Sequence, residues 1–176
     1  MIEIGDLGNG SGTLIAPNRM LTAAHVAVEG MELRVGPNKK IAKVIKIDLE
    51  NDLALLDVKL ACPCIPISAG SQPKVDDPII LVGFPVNFIV QTQILTHGYV
   101  QGLVQGNRLQ VTADAVGGNS GGGMFRQVEG KWEVAGVLVE GVVMGFTPVS
   151  YLSRVVDLVT VQSFLPSMGY VENWND

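Results

Sequence analysis

Gly117-Gly118-Asn119-Ser120-Gly121-Gly122 is the stretch on which the reading of this 176-residue chain turns. It sets one hydroxyl among glycines, where the backbone bends tightly and its N–H groups converge on a point with no Cβ in the way. That setting suits a serine attacking a carbonyl, but a hydroxyl is too weakly acidic to do so alone. A neutral imidazole must take its proton, and a carboxylate must hold the imidazole in the right tautomer. Two further stretches offer these groups: Leu21-Thr22-Ala23-Ala24-His25 and Asn51-Asp52-Leu53-Ala54-Leu55-Leu56. The inventory is therefore that of a serine hydrolase, in the chain order His25, Asp52, Ser120, with the N–H groups of Gly118 and Ser120 as the expected oxyanion donors.

The segment Gly118 to Gly122 also fits G-x-S-x-G, the nucleophile elbow of a strand-turn-helix fold. Chain order separates the two. An elbow enzyme places its histidine after the serine, whereas the only histidines, His25 and His97, both precede Ser120.

With the elbow excluded, the three stretches resemble those of the chymotrypsin-like serine proteases. The second half is similar to the HtrA-type branch: Gly83-Phe84-Pro85, then Gln91-Thr92-Gln93-Ile94-Leu95-Thr96-His97-Gly98-Tyr99-Val100, then the serine loop, then Gly145-Phe146-Thr147-Pro148. The similarity runs from about Gly10 to about Val156. It implies an all-β fold of two six-stranded antiparallel Greek-key β-barrels with the site in the cleft between them. It further implies a serine endopeptidase acting on polypeptide substrates through an acyl-enzyme, with neither metal nor organic cofactor. An extended substrate would add as a strand along Val139, Glu140 and Gly141. Six places before Ser120, where trypsin-like enzymes hold a carboxylate that selects Arg or Lys, stands Asp114. The HtrA-type pattern has a small apolar residue there, so Asp114 is either a selector of basic side chains or a strand-capping or surface aspartate. The competing class is a catalytically silent peptide-binding or chaperone-like module on the same fold.

Three departures from the family qualify these expectations. Asn119 stands where digestive relatives carry an aspartate that pairs with a newly cut N-terminus, so activation by cleavage is not expected. Gly123 replaces a proline common after the glycines. The chain stops at Asp176, which leaves no PDZ module expected.

Composition agrees with one folded unit: 47% hydrophobic and 16% charged residues describe a folded chain, with disorder expected only at the ends, and a net charge of −5 with no basic cluster argues against nucleic acid or an anionic membrane as partner. The stretch from Pro78 to Asn107 has no Asp, Glu, Lys or Arg, yet Pro85, Asn87, Gln91 and His97 interrupt it, so it reads as buried strands rather than a membrane span. Met1 to Asp6 lacks the basic and apolar regions of a secretory signal, from which a cytoplasmic location is expected. Cys62 and Cys64 flank Pro63 at a spacing that strains a mutual disulfide and closes almost no loop, so both are expected as free thiols. A Cys-x-Cys pair with two distant histidines is not a metal site.

Short strands punctuated by Gly, Pro, Asn and Asp are predicted at Thr13–Ala16, Met20–Ala23, Glu32–Val35, Ile41–Ile47 and Leu53–Val58. A second set follows at Ile79–Val82, Ile89–Leu95, Gly98–Val104, Arg108–Thr112, Gly122–Phe125 and Trp132–Val139, continuing to Phe146. Ser68-Ala69-Gly70-Ser71-Gln72-Pro73 reads as the linker. The expected organisation is an N-terminal barrel over 1–70, a C-terminal barrel over 71–148, and a helix with tail over 149–176. The helix is read from Leu152, Val155, Val156 and Val159, with Ser150 as N-cap and Pro166 as the stop. Asp48 rivals Asp52 as the carboxylate, but Asp52 opens the apolar run that anchors it. His97 reads as a solvated turn residue, and Met124, Met144 and Trp132 as core filling.

Overall fold

The computed structural model describes residues 1–61, 64–86, 92–104, 106–144 and 147–165. In the first half lie β1 (Ile2–Ile4), β2 (Gly8–Gly10), β3 (Thr13–Ala16), β4 (Arg19–Thr22), β5 (Leu33–Val35), β6 (Lys40–Asp48) and β7 (Leu53–Asp57). They pair in the order β2-β1-β5-β6-β7-β4-β3, a seven-stranded sheet curled into a half-barrel. The second half holds β8 (Pro78–Gly83), β9 (Ile94–Val104), β10 (Arg108–Val111), β11 (Gly123–Val128), β12 (Lys131–Met144) and β13 (Thr147–Val156), closed as a barrel β10-β13-β12-β11-β8-β9. This is the chymotrypsin-like double barrel that the resemblance implied.

The sequence pattern accounts for these elements. β8 and β10 alternate buried and less buried residues with the period of a strand that shows one face to a core. In β7, by contrast, Leu53, Ala54, Leu55 and Leu56 are all fully buried, as an unbroken apolar run in a central strand should be. Two cores result. Ile79, Leu81, Val100, Leu109, Met124, Leu138 and Val155 fill the closed barrel. The other core joins the N-terminal sheet to Phe125, Val134, Val137 and Val156 from the second half, so the halves share apolar packing.

The C-terminal helix starts later than expected. The stretch from Thr147 to Val156 is β13, paired with both β10 and β12, and α1 (Leu158–Phe164) begins beyond it, capped by Asp157, whose side chain accepts from the Thr160 N–H. Ser150 is therefore a strand residue and not the N-cap. Apolar residues at Leu152, Val155 and Val156 satisfy either period over so short a run, and closing the barrel between β10 and β12 decides for the strand. Pro166 and the acidic tail lie outside the described residues, as do Cys62 and residues 89–91 of the strand expected at Ile89–Leu95; its last two residues, Ile94 and Leu95, open β9. Cys64 is disulfide-bonded rather than a free thiol. The small loop bears on how much such a bond stabilises, not on whether it forms. Trp132 is 44% exposed on β12, not core filling, whereas Met124 is fully buried. An exposed β12 edge position accommodates an aromatic ring on the sheet's outer face.

The linker is fastened along its length. The Ser68 N–H donates to Val134 O at 2.8 Å and the Val134 N–H to Pro66 O at 2.8 Å. Gln72 Oε1 accepts from the Leu158 N–H at 3.0 Å, and Gln162 Nε2 donates to Ser68 O at 2.7 Å. Among the described residues no helix is long and apolar enough to cross a membrane.

Candidate active site

β4 runs into one 3-10 turn, Ala24–Val26, which presents His25 beside the turn between β6 and β7. Asp48 shapes the latter turn: its carboxylate accepts from the Asn51 N–H at 3.0 Å and from Asn51 Nδ2 at 2.7 Å. These bonds hold the Asp48 carboxyl below the usual carboxylate range. Asp52 follows in a left-handed conformation, φ +55°, which costs a non-glycine residue energy and is sustained by the turn. Its two oxygens then meet one histidine: Oδ1 accepts from the His25 backbone N–H at 2.9 Å, and Oδ2 lies 2.8 Å from His25 Nδ1. Asp48 and Asp52 thus divide, one serving the turn and the other the imidazole.

The Asp52 hydrogen bond raises the His25 pKa above its ordinary value of 6.5, with the charges of Asp52 and Glu140 adding to the rise and partial burial opposing it. The His25 side chain is 48% exposed. Among the described residues no hydrogen bond joins His25 to the Ser120 hydroxyl. Unliganded sites commonly show this looseness and tighten around substrate.

The loop carrying Ser120 is pressed against the strand that leads to His25. Gly121 has φ +83°, and a Cβ there would lie 2.1 Å from Thr22 Oγ1, 2.3 Å from Ser11 O and 3.0 Å from Ala23 N. Only glycine meets both demands. Gly121→Ala is expected to cost about 3 kcal/mol through combined clash and strain, lowering Tm by roughly 10 °C for a chain of this size and removing activity with it. A calorimetric scan reads this, and an unchanged Tm refutes the close approach.

Ser11, which belongs to none of the motifs singled out from the sequence, ties the same loop down. It is buried; its Oγ donates to Gly118 O at 2.8 Å and accepts from the Phe84 N–H, and its own N–H donates to Ser120 O at 2.8 Å. Its flanking glycines were the available signal: a Cβ on Gly10 would lie 2.6 Å from the Val26 side chain, and one on Gly12 2.8 Å from that of Met20. On the far side of the loop the Val86 N–H donates to Gly117 O at 2.7 Å. In a trans peptide this turns the Gly118 N–H the opposite way. Among the described residues neither the Gly118 nor the Ser120 N–H donates to a protein acceptor.

Ser120 shares a cleft of about 430 Å³ with Asp114, Ala115, Val116, Glu140 and Gly141. Beyond Leu138, β12 pairs with β13 on one side, with Glu140 opposite Arg154, and among the described residues no strand covers its other edge. Val139, buried, lies on that stretch of backbone. His97 lies apart, exposed on β9 opposite Ile80. No cluster of His, Cys, Asp and Glu suited to a metal occurs among the described residues.

Residues 10–137 match the trypsin-like peptidase domain model. A Do-like protease 12 of Arabidopsis thaliana mitochondria is 33% identical over 159 residues, covering 74% of this chain and 31% of that protein. Do-like protease 4, also mitochondrial in A. thaliana, is 31% identical over 118 residues, covering 63% of this chain and 21% of that protein. The chain thus spans a third or less of the length of these relatives. Among solved structures, the serine endoprotease of Yersinia pestis superposes with a TM-score of 0.73 at 23% identity, over 92% of this chain and 59% of that one. The Rv3671c protein of M. tuberculosis, in an inactive form, gives 0.74 at 22% identity, over 98% and 87%.

Proposed function

The chain belongs to the trypsin-like peptidase domain family, and from that premise we propose that it is a serine endopeptidase in which His25, Asp52 and Ser120 do the chemistry. The observation that carries this is the two-point grip of Asp52 on His25, at 2.9 and 2.8 Å, beside a serine loop whose adjacent N–H groups are free to donate. The N-terminal unit (1–70) contributes the base and the carboxylate, and the C-terminal barrel contributes the nucleophile. The Ser120 oxygen attacks the scissile carbonyl as its proton passes to His25 Nε2, and Asp52 stabilises the imidazolium. The Gly118 and Ser120 N–H groups receive the oxyanion. The imidazolium then protonates the leaving amine, and water, activated by the same base, frees the acyl group. None of these steps calls on a metal or cofactor.

A fluorophosphonate probe tests the reading, because it labels only an activated serine. Covalent labelling at Ser120 supports it. A folded protein that binds peptides without labelling instead fits the silent peptide-binding module.

Substrates are polypeptides that lie along Val139, Glu140 and Gly141, with the side chain before the scissile bond in the cleft beside Ser120. Asp114 lends that cleft a negative charge, which favours Arg or Lys there. Because Asp114 is exposed, the preference is modest. Peptides ending in Arg before the cut are expected to exceed their Leu counterparts roughly tenfold in kcat/KM, and Asp114→Asn should erase most of that margin. Equal rates, or faster cleavage after Leu, refute the assignment of Asp114.

A further inference from the structure

Behind Glu140, on the side away from Ser120, lies a second pocket of about 230 Å³ lined by Val104, Asn107, Arg108, Glu140 and Arg154. Glu140 belongs to both pockets and joins them. Arg154 Nη1 donates to Glu140 Oε1 at 3.1 Å, which neutralises one guanidinium. Arg108 is engaged through Nη1 on the neutral Asn107 side chain, so among the described residues it keeps its positive charge without a carboxylate partner. Arg154 Nε is buried and, among the described residues, has no acceptor. Two arginines against one glutamate leave the pocket one positive charge in excess, with unused donors arranged around it.

The geometry points to a second specificity site here: we propose that the Arg108–Arg154 pocket takes an acidic side chain of the substrate, at the fourth residue before the scissile bond. The argument rests on the endopeptidase reading above and follows from the strand that the substrate would form on β12. Side chains of an extended peptide alternate between faces, so when the first residue before the cut fills the Ser120 cleft, the second and fourth turn toward the opposite face. The second passes His25. Glu140 lies next along that face, close enough for its charge to raise the His25 pKa, and the two arginines stand behind it. Three residues of extended chain carry the fourth side chain past His25 to the level of Glu140, and the arginines stand across Glu140 from it, Arg154 on β13 and Arg108 on β10, one and two strand spacings of about 4.8 Å beyond β12, a span that a long carboxylate side chain and an arginine bridge between them. A carboxylate there meets the guanidinium of Arg108, which among the described residues has no carboxylate partner, while an ammonium meets net repulsion.

Matched peptides with Arg before the scissile bond and Glu, Gln or Lys at the fourth position test this. With the native protein, kcat/KM is expected to fall in the order Glu, Gln, Lys, with Glu about fivefold over Lys at low salt and the gap narrowing as salt is added. Arg108→Gln should flatten the order and Arg108→Glu should invert it. Any effect of these variants through Asn107 touches all three peptides alike and cancels in the ratios. The same ranking is measured as Kd on Ser120→Ala protein, so the order of preference can be read even where none of the peptides is turned over. Loss of turnover with the Kd ranking intact counts against the endopeptidase reading and leaves the subsite standing. Equal Kd values for Glu and Lys peptides, or an order that Arg108→Glu does not change, overturn the subsite.

Discussion

Ser120→Ala is expected to lower kcat by about six orders of magnitude while leaving Tm and peptide affinity near native, because Ser120 holds the loop through its backbone O, which accepts from the Ser11 N–H, and among the described residues its hydroxyl makes no hydrogen bond that folding uses. His25→Ala should fall as far, and the double variant no farther. A nucleophile and its base act as one unit, and losing either removes the whole of covalent catalysis. What survives in all three is a residual rate roughly 10³–10⁴ above the uncatalysed one, supplied by oxyanion donors and substrate positioning. Steady-state kinetics on one chromogenic peptide decide the matter. Additive losses in the double variant are incompatible with a shared proton transfer between Ser120 and His25.

The second large effect belongs to Asp52→Asn, expected to cost roughly 10⁴ in kcat with the fold intact. The reason lies in the His25 backbone. Its N–H already claims one oxygen of Asp52 at 2.9 Å, so the introduced amide must keep its carbonyl there and turn its NH₂ toward Nδ1. His25 then accepts at Nδ1 and carries its proton on Nε2, the nitrogen that has to receive the proton of Ser120. The pH profile offers an independent reading. His25 works as a base only when neutral, and its pKa is raised above 6.5, so native kcat/KM should decline as pH falls through that raised value. Without the Asp52 carboxylate the main cause of the rise is gone, and the acid limb should move to lower pH. A limb that stays in place shows that a group other than His25 governs it.

Much of this architecture is plain in the chain itself. Leu53 to Leu56 announce a doubly buried strand, Thr13–Ala16 is bounded to the residue, and the glycines around Ser120 mark the one loop that must bend sharply. Where sequence and structure part, the causes are physical. Ser150 to Val156 carries spacing that fits helix and strand alike, and only the need to close the barrel separates them. The three-residue strands β1 and β2 are too short to show a period. Ser11 stays inconspicuous because its role lies in long-range bonds to Gly118, Phe84 and Ser120, which no local pattern records. The arginine pocket is hidden for the same cause. Arg108 and Arg154 stand on β10 and β13, and pairing of those strands, with Gln110 opposite Arg154, brings them together.

Ser68 to Pro73 has the makeup of a swivel, yet it behaves as a clasp. Gln72 from this stretch closes the start of α1, Gln162 from α1 closes back on Ser68, and the far end of the helix reaches Lys46 of β6, whose ammonium stands 4.5 Å from the Phe164 ring centre. The strap therefore begins where one barrel ends, crosses to the other, and is buckled to the first again by a helix of seven residues. Because Phe164 and Leu165 are themselves buried in the core that the two halves share, tension applied to the polypeptide past Leu165 would pull directly on the packing that sets the spacing of imidazole and hydroxyl.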